Sequence, residues 1–296
     1  MSTAGNSSKR ALHFHRPPRR VVSLVPSLTE SLFDLGFGAS VVGVTDYCVH
    51  PAGQLQGLPR LGGPKNPRVD QILELQPELV LANQEENTPH TVEQLEAAGV
   101  PVLVTFPKTV PQALDVLWTL TGLYHSQTAA IQLETLELSL EWVQSDSSER
   151  NHRRYFCPIW QDVTESDVRW WMTVNRDTYV HDLLSVVGGS NIFAHRERRY
   201  PLKADLGETA AQDPGDRDTR YPRVTLDEIL AGDPEIILLP SEPFTFDETH
   251  REQIEAWLAD TSAVRQGRVH LVDGSLLTWH GTRLGKALQE LPALFV

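Results

Sequence analysis

The chain has 296 residues, of which 40% are hydrophobic, and a formal net charge of −13. This length accommodates two domains with real cores, whereas the acidic balance argues against partners such as nucleic acid or an anionic membrane surface. Two cysteines are too few for a disulfide framework, and no apolar run approaches the roughly 18 residues of a membrane-spanning helix.

The N-terminal segment, residues 1–19, is polar and basic, and we interpret it as a disordered tail. Its two histidines, His13 and His15, are expected to be solvated rather than to bind metal. The segment lacks the apolar core of a secretory signal. As written, the chain is therefore expected to remain in the cytoplasm.

An N-terminal α/β lobe is predicted over residues 20–124. Val21–Val25 has the composition of a buried strand, and Val41–Val44 that of the next one. Between them, Ser27 and Glu30 have the spacing of a capping box that would start a helix. An order of strand, helix and strand favours a parallel sheet with right-handed crossovers.

The loop Thr45–Pro51 follows the second strand, at the end where open α/β sheets place ligands. Tyr47 offers an aromatic face and a hydroxyl group. Cys48 and His50, two residues apart, could point at one metal, but no further ligand pair assists them. We interpret the loop as a pocket wall, with a protein-only metal site or an ordinary loop as the alternatives.

A rigid turn rich in glycine and proline, Leu61–Pro67, precedes the next helix. Lys65 in this turn faces either a pocket or water. Beyond the turn, the chain predicts two further strands and two helices in this lobe: Leu79–Ala82, Thr91–Ala98, Val102–Phe106 and Pro111–Leu123.

Two segments 157 positions apart repeat each other. Val69–Leu81 and Leu226–Leu238 are identical at six positions and conservatively related at three more. Each copy has the pattern of a short helix, a proline that stops it and a buried strand. Two copies of one supersecondary unit indicate two lobes of similar build.

Between the copies lies Ser126–Ser145, which predicts one long helix with Ser126 as its N-cap. It contains no proline or glycine. Its apolar residues share one helical face: Leu133, Leu136, Leu140 and Val143, widened by Ile131, Leu138 and Trp142. We interpret residues 125–150 as a strut between two lobes rather than a core helix of one domain.

A C-terminal α/β lobe is predicted over residues 151–296. Tyr155–Trp160 and Trp170–Val174 read as strands that flank a polar, hairpin-like loop. Strand alternation places Trp170 and Trp171 on opposite faces, so that at least one is in the core. Trp160 and one residue of that pair are candidates for contact with a ligand.

The rest of this lobe begins with a polar stretch, Lys203–Arg220, which predicts a long surface loop or a lid. A helix over Asp247–Ala259 and a strand over Val269–Val272 follow the second repeat copy. Trp279 and Arg283 come next, just before the terminal helix, which is again the ligand side of such sheets.

Several segments together resemble a known family, the class III, helical-backbone solute-binding proteins of ABC importers. These segments are V-V-S-L-V-P-S-L-T-E, V-G-V-T-D-Y-C-V-H-P, I-L-E-L-Q-P-E-L-V-L, D-T-Y-V-H-D-L-L-S-V-V-G-G-S-N-I-F and W-H-G-T-R. The likeness extends from about Arg20 to the C-terminus and is strongest to the cobalamin-binding branch. It implies two α/β lobes with parallel sheets, bridged by one long helix, that clamp a metal macrocycle.

The resemblance also implies roles for single residues. Tyr47, Trp160, Trp171 and Trp279 would cover the ring faces of the ligand, and Lys65 and Arg283 would meet its polar side groups. Cys48 or His50 could approach the axial position of the metal. Glu30 matches a carboxylate that family members present to the importer, and Asp182 would stand in for the second carboxylate, whose position is occupied by Ser185.

The sequence thus predicts a monomeric, non-enzymatic binding protein without a cofactor or metal site of its own. Its predicted ligand is cobalamin or a related metal chelate, and its partner would be an ABC importer permease. Family members are normally periplasmic or on the cell surface. The alternatives are a haem or iron–siderophore receptor of the same fold and a cytosolic corrinoid-handling enzyme or metallochaperone, although no catalytic motif is visible.

Overall fold

The computed structural model describes residues 14–296, which form two compact units. The first unit extends to Phe106 and includes Val116–Gln132, and the second consists of Pro107–Asp115 and Leu133–Val296. Residues 1–13 lie outside the described residues, and with them most of the predicted tail and His13. The described end of that tail is attached to the first unit, because Arg16 pairs with Glu78 at 2.6 Å.

The first unit contains a four-stranded parallel sheet, in which Val21–Ser23 pairs with Val41–Val44 and Leu79–Asn83, and Leu79–Asn83 also pairs with Val102–Thr105. Its elements are β1 (Val21–Ser23), α1 (Pro26–Asp34), β2 (Val41–Val44), β3 (Gly62–Gly63), β4 (Asn66–Pro67), α2 (Val69–Glu74), β5 (Leu79–Asn83), α3 (Pro89–Ala97) and β6 (Val102–Thr105). The two short strands β3 and β4 form a hairpin. The central strands β1 and β5 are fully buried, as expected for a parallel sheet covered on both faces.

Two helices follow, α4 (Val110–Tyr124) and α5 (Gln127–Ser148). The second unit then continues with β7 (Arg153–Phe156), β8 (Pro158–Val163), β9 (Arg169–Thr173), α6 (Tyr179–Val186), β10 (Gly189–Asn191), α7 (Leu202–Asp205), β11 (Arg223–Thr225), α8 (Leu226–Gly232), β12 (Ile236–Pro240), α9 (Glu248–Trp257), α10 (Ser262–Arg265), β13 (Val269–Val272), α11 (Ser275–Thr278) and α12 (Leu284–Glu290). Its main sheet is also parallel, in the order β10-β7-β12-β13, and β11-β9-β8 form an antiparallel sheet.

The predicted repeat is confirmed, because both copies fold as a helix followed by a buried strand, α2–β5 and α8–β12. The turn between helix and strand is also the same in both. Gln76 and Asp233, which occupy equivalent positions before the proline, have left-handed backbones with φ of 47° and 39°. A proline after a left-handed residue ends each helix and directs the chain into the sheet.

A glutamate then forms hydrogen bonds between each repeat copy and the neighbouring central strand. Glu78 donates its backbone N–H to Arg20 at 2.8 Å and accepts from the Arg19 amide at 2.6 Å. Glu235 makes the same two kinds of bond with Arg154. Its backbone N–H donates to the Arg154 carbonyl at 2.8 Å, and its carboxylate accepts from the Arg154 amide at 3.0 Å. The identity of this residue in the two copies therefore has a structural reason: it aligns the strand pair at the centre of each sheet.

The long helix is confirmed as one continuous element, with residues of α5 in both units and Ser126 accepting from the Ala129 amide at 3.2 Å. Its apolar face is narrower than predicted. Leu133, Leu140 and Val143 are buried, as expected. The three residues predicted to widen that face are instead exposed: Ile131, Leu138 and Trp142, at 59%, 65% and 71%.

Other predictions at the level of single elements need correction. The capping box at Ser27 is wrong, because α1 starts with Pro26 and its N-cap, Val25, makes no side-chain cap hydrogen bond. Proline is well suited to the first turn, where its missing N–H has no partner to lose. The run Tyr155–Trp160 is not one strand, since it is divided between β7 and β8.

The stretch Lys203–Arg220 begins in the short helix α7 and is held by a buried carboxylate. Asp205 has a side chain with no exposed surface and accepts from Arg196 Nη1 at 3.0 Å. It also accepts from the backbone N–H groups of Arg199 and Arg223, at 2.9 and 2.8 Å. One carboxylate thus joins both ends of a long polar segment. Within residues 14–296, no helix combines the length and apolarity that crossing a bilayer requires.

Candidate ligand-binding site

A cavity of about 440 Å³ opens in the first unit, where β2 and β5 end. Its lining combines two of the residues singled out by the sequence with the turn of the β3–β4 hairpin and the loop after β5: Tyr47, Gly63, Pro64, Lys65, Asn66, Glu85 and Glu86. The carboxyl ends of parallel strands are where open α/β sheets bind ligands. Tyr47, which the sequence predicts as part of a pocket wall, lines this cavity.

Tyr47 presents an aromatic side chain to solvent on this wall, with 64% of its surface exposed. Its loop is tied to the hairpin, because the Asp46 amide donates to the Gly62 carbonyl at 2.9 Å. Tyr47 Cε2 lies near Gly63, where an added Cβ would be in ordinary contact with it at 3.6 Å. The ring is available as a flat apolar surface.

The electrostatic character of this cavity is acidic. Two glutamates, Glu85 and Glu86, are among its lining residues, against one lysine. The one lysine in the lining, Lys65, donates through Nζ to the Glu85 backbone carbonyl at 2.5 Å. Such a surface favours ligand groups that donate hydrogen bonds and disfavours ligand carboxylates, because like charges repel.

Cys48 lies inside this loop rather than on its surface. Its side chain is fully buried, and Sγ contacts the hydroxyls of Thr29 and Thr45, each at 3.1 Å. Burial raises the pKa of the Cys48 thiol. His50 lies two residues further on and is half-buried. We therefore assign Cys48 to the core.

We expect both cysteines to resist thiol reagents in the native protein. Cys157 is also fully buried, and burial raises its pKa to about 12. Because the thiolate is the reactive form, two buried, protonated thiols should react slowly with a disulfide reagent at pH 8. Ellman's reagent should detect almost no thiol in the native state and two per chain in denaturant.

Rapid native labelling that disappears in Cys48→Ala would show that Cys48 is accessible. The matching variant, Cys157→Ala, should leave such labelling in place. That pair of results would contradict the assignment of Cys48 to the core and return it to the ligand-facing surface of the loop.

In the second unit, Trp160 on β8 packs with a group of aromatic residues that follow β12. Its ring meets Phe244 edge-on at 5.5 Å, and Phe244 in turn packs on Phe246 and His250. Trp160 is 41% exposed. The sequence placed Trp160 among the candidate ligand contacts, and the structure leaves its indole accessible for that role.

The prediction that Trp171 contacts a ligand needs correction, because the structure buries this residue in the core of the second unit. Only 1% of its surface is exposed, its ring meets Trp257 at 5.9 Å, and its Nε1 donates to Gln161 Oε1 at 3.2 Å. Trp170 is buried as well. The antiparallel sheet is covered on both faces here, so alternation does not bring either indole to a ligand surface.

Trp279 and Arg283 are brought together after β13. The Arg283 guanidinium lies 4.7 Å from the centre of the Trp279 ring. Arg283 itself is 92% buried, and its Nη1 donates to Ser275 Oγ at 2.7 Å. The arginine therefore supports the half-buried indole through a cation–π contact rather than reaching out to a ligand.

The two residues predicted to meet the importer have different surroundings. Glu30 lies on α1 and is half-buried. Asp182 lies on α6, where its Oδ2 accepts from the Val110 amide at 2.7 Å. Val110 is the first residue of α4, so this carboxylate caps that helix, and it also compensates the positive end of the helix dipole.

Sequence reasoning did not single out Glu85 and its counterpart Glu242. They occupy equivalent positions in the two repeat copies, just after β5 and β12. Glu242 Oε1 accepts from Thr278 Oγ1 at 2.6 Å and so joins the end of β12 to α11. Extending the repeat by four positions would have revealed the pair. Across residues 14–296, no group of three or more potential metal ligands comes together.

Comparison with known proteins places these features in a family context. Residues 21–276 match the family model described as periplasmic binding protein. A curated relative, the vitamin B12-binding protein of Vibrio cholerae, is 23% identical over 277 residues, which cover 93% of this chain and 88% of the relative.

Two solved structures have the same fold. The periplasmic vitamin B12 binding protein BtuF of Vibrio cholerae superposes with a TM-score of 0.72 at 22% identity, over 94% of this chain and 96% of that one. The periplasmic heme-binding protein RhuT from Roseiflexus sp. RS-1 superposes with a TM-score of 0.69 at 23% identity, over 94% and 97%. Both likenesses support the two-lobed α/β fold.

Proposed function

The chain belongs to the periplasmic binding protein family, whose members are substrate-binding proteins of ABC importers and not enzymes, and from this premise we propose that it binds a corrinoid of the vitamin B12 type. The observation that carries the proposal is the exposed Tyr47 ring beside an acidic cavity at the carboxyl ends of β2 and β5. The corrinoid would bring its own metal.

The chemistry of the cavity favours a corrinoid over haem. A corrin ring is rimmed by amide side chains, whose N–H groups can donate to Glu85 and Glu86. Haem carries two carboxylates instead, which the same glutamates would repel. Both ligands offer a flat ring to Tyr47, so aromatic contact supplies affinity while the charges of the cavity supply selectivity.

We propose Trp160 and Trp279 as further aromatic contacts of the ligand. Trp160 lies on β8 and Trp279 directly follows α11, and neither indole is fully buried. Arg283 is proposed to position Trp279, and His50 and Lys65 to line the first-unit wall. Trp171 and Cys48 are omitted because both are buried in the core.

The proposed partner is an ABC importer permease, with Glu30 as a contact. Family members deliver their ligands to such importers, and acidic side chains on the binding protein suit basic groups on a membrane partner. Asp182 is not included, because its carboxylate is occupied with capping α4.

We expect an absorption titration to show saturable binding of cyanocobalamin and aquocobalamin, with weaker or no binding of haem and of a ferric siderophore. Tyr47→Ala and Trp279→Ala should each weaken corrinoid binding by about 10-fold, because each removes an aromatic surface from the ligand. The matched control is Trp142→Ala. That indole is 71% exposed on α5 and lies outside the proposed site, so its removal should leave affinity unchanged.

Saturable binding of haem but not of corrinoids would overturn the proposed ligand and favour a haem receptor of the same fold. Equal losses in Trp142→Ala and Tyr47→Ala would overturn the site. If no macrocycle binds, the proposed function is wrong.

A further inference from the structure

A single buried carboxamide connects three parts of the first unit at the proposed site. Asn87 is 3% exposed and follows β5 in the loop that contains Glu85 and Glu86. Its Oδ1 accepts from the Asn83 amide at 2.8 Å, at the end of β5. Its Nδ2 donates to the Pro64 carbonyl at 3.0 Å and to the Leu24 carbonyl, just beyond β1, at 3.4 Å.

The partners of Asn87 determine the orientation of its amide. The group on one side is an N–H donor, and both groups on the other side are carbonyl acceptors. The three backbone groups are all satisfied only by a side chain that offers one acceptor and two N–H donors. The carboxamide of asparagine offers this combination. Because the site is buried, any of these backbone groups left without a partner would carry a desolvation cost.

The contact with Pro64 links Asn87 to the ligand surface. Pro64 lies between Gly63, which Tyr47 Cε2 approaches, and Lys65, which donates to the Glu85 carbonyl. Two hydrogen bonds therefore hold the hairpin turn, one from Asn87 to the Pro64 carbonyl and one from Lys65 to the Glu85 carbonyl. A shift of this turn would move the support of the Tyr47 ring and the lining of the cavity together.

We propose that Asn87 is a positioning residue for ligand binding: through the Pro64 carbonyl it holds the Gly63–Lys65 turn in the place that supports Tyr47. This inference rests on the proposed function of the cavity. Asn87 itself does not line the cavity. Its effect on affinity therefore acts through Tyr47 and the turn.

The test uses two variants of Asn87 and one matched control. Asn87→Ala removes all three bonds, and Asn87→Asp keeps the shape but replaces both donors by an oxygen facing two carbonyls. Each should weaken cyanocobalamin binding by about 10-fold. The control is Asn191→Ala in the second unit. Asn191 is also buried, accepts from the Phe193 amide at 2.8 Å and donates to the Val174 carbonyl at 2.9 Å.

Asn191→Ala should lower the free energy of unfolding about as much as Asn87→Ala but leave affinity unchanged. A double-mutant cycle then separates positioning from general destabilisation. In a protein that already carries Tyr47→Ala, Asn87→Ala should weaken ligand binding little further. In a protein that carries Trp279→Ala, the fold-losses in affinity of the two substitutions should multiply. Unchanged affinity in Asn87→Ala, or equal additivity with both aromatic variants, would overturn the proposal.

A readout without ligand distinguishes this inference from the proposed function. Hydrogen exchange of the peptide covering residues 60–67 should become faster in Asn87→Ala than in the wild-type protein and remain unchanged in Asn191→Ala. If the wild-type protein binds no macrocycle, the proposed function fails, and faster exchange would still show that Asn87 holds the turn. Unchanged exchange would show that it does not, whichever ligand binds.

Discussion

Trp171→Ala is expected to lower the free energy of unfolding by about 3–5 kcal/mol, because it removes a large side chain from a packed core. The indole is 1% exposed and contacts Trp257 within a cluster that includes Phe156 and Ile237. The cavity left behind also exposes Gln161 Oε1, which loses its donor. Urea denaturation of the ligand-free protein, followed by circular dichroism, measures this loss.

Trp160→Ala is the matched control for this prediction. The same side chain is removed from the neighbouring strand, but Trp160 is 41% exposed, so the loss should be roughly 1 kcal/mol. The order should reverse for ligand binding, with Trp160→Ala weakening corrinoid affinity and Trp171→Ala leaving it nearly unchanged in the folded protein. A stable Trp171→Ala with strongly reduced affinity would contradict the assignment of Trp171 to the core.

Asp205→Ala is expected to destabilise the protein by a similar amount, about 3–5 kcal/mol, because it removes one of the two carboxylate partners of the buried Arg196 guanidinium and the acceptor of two backbone N–H groups. The Arg196 side chain is only 11% exposed and would keep Glu228 alone as a carboxylate partner. The amides of Arg199 and Arg223 would also lose their acceptor. Thermal or urea unfolding, together with faster proteolysis in the segment between residues 203 and 220, would detect this effect.

Asp218→Ala is the control for this second prediction. Asp218 pairs with Arg220 at 2.6 Å in the same segment, but its side chain is 39% exposed. Exposed ion pairs contribute about 1 kcal/mol or less, so stability should change little. Equal losses in the two variants would mean that burial does not distinguish these carboxylates, and the role assigned to Asp205 as the anchor of the segment would be wrong.

The sequence was most informative where a local rule determines structure. The two repeat copies predicted α2–β5 and α8–β12, because a proline after a short helix and before an apolar run has few alternatives. The same holds for α5, whose length and lack of glycine and proline predict a helix in any context. The strand over Val269–Val272 was predicted to the residue.

Predictions about exposure were less successful, since they depend on contacts distant in sequence. The periodicity of the sequence predicted that Ile131, Leu138 and Trp142 lie on the buried side of α5. These three side chains are exposed, because only a narrow face of α5 is covered. Likewise, the pattern of β9 could not show that the antiparallel sheet is covered on both faces. Trp170 and Trp171 are both buried for that reason.

The sequence by itself thus determined the two repeated units, the long helix and the family, because helix length, proline position and an internal repeat are local properties of the chain. Only the tertiary structure decided which candidate side chains reach a ligand surface. It left Tyr47 exposed, buried Cys48 and Trp171, used Asp182 as a helix cap and bonded Asn87 to the hairpin turn. Burial and hydrogen bonding of this kind arise from segments that meet only when the chain is folded.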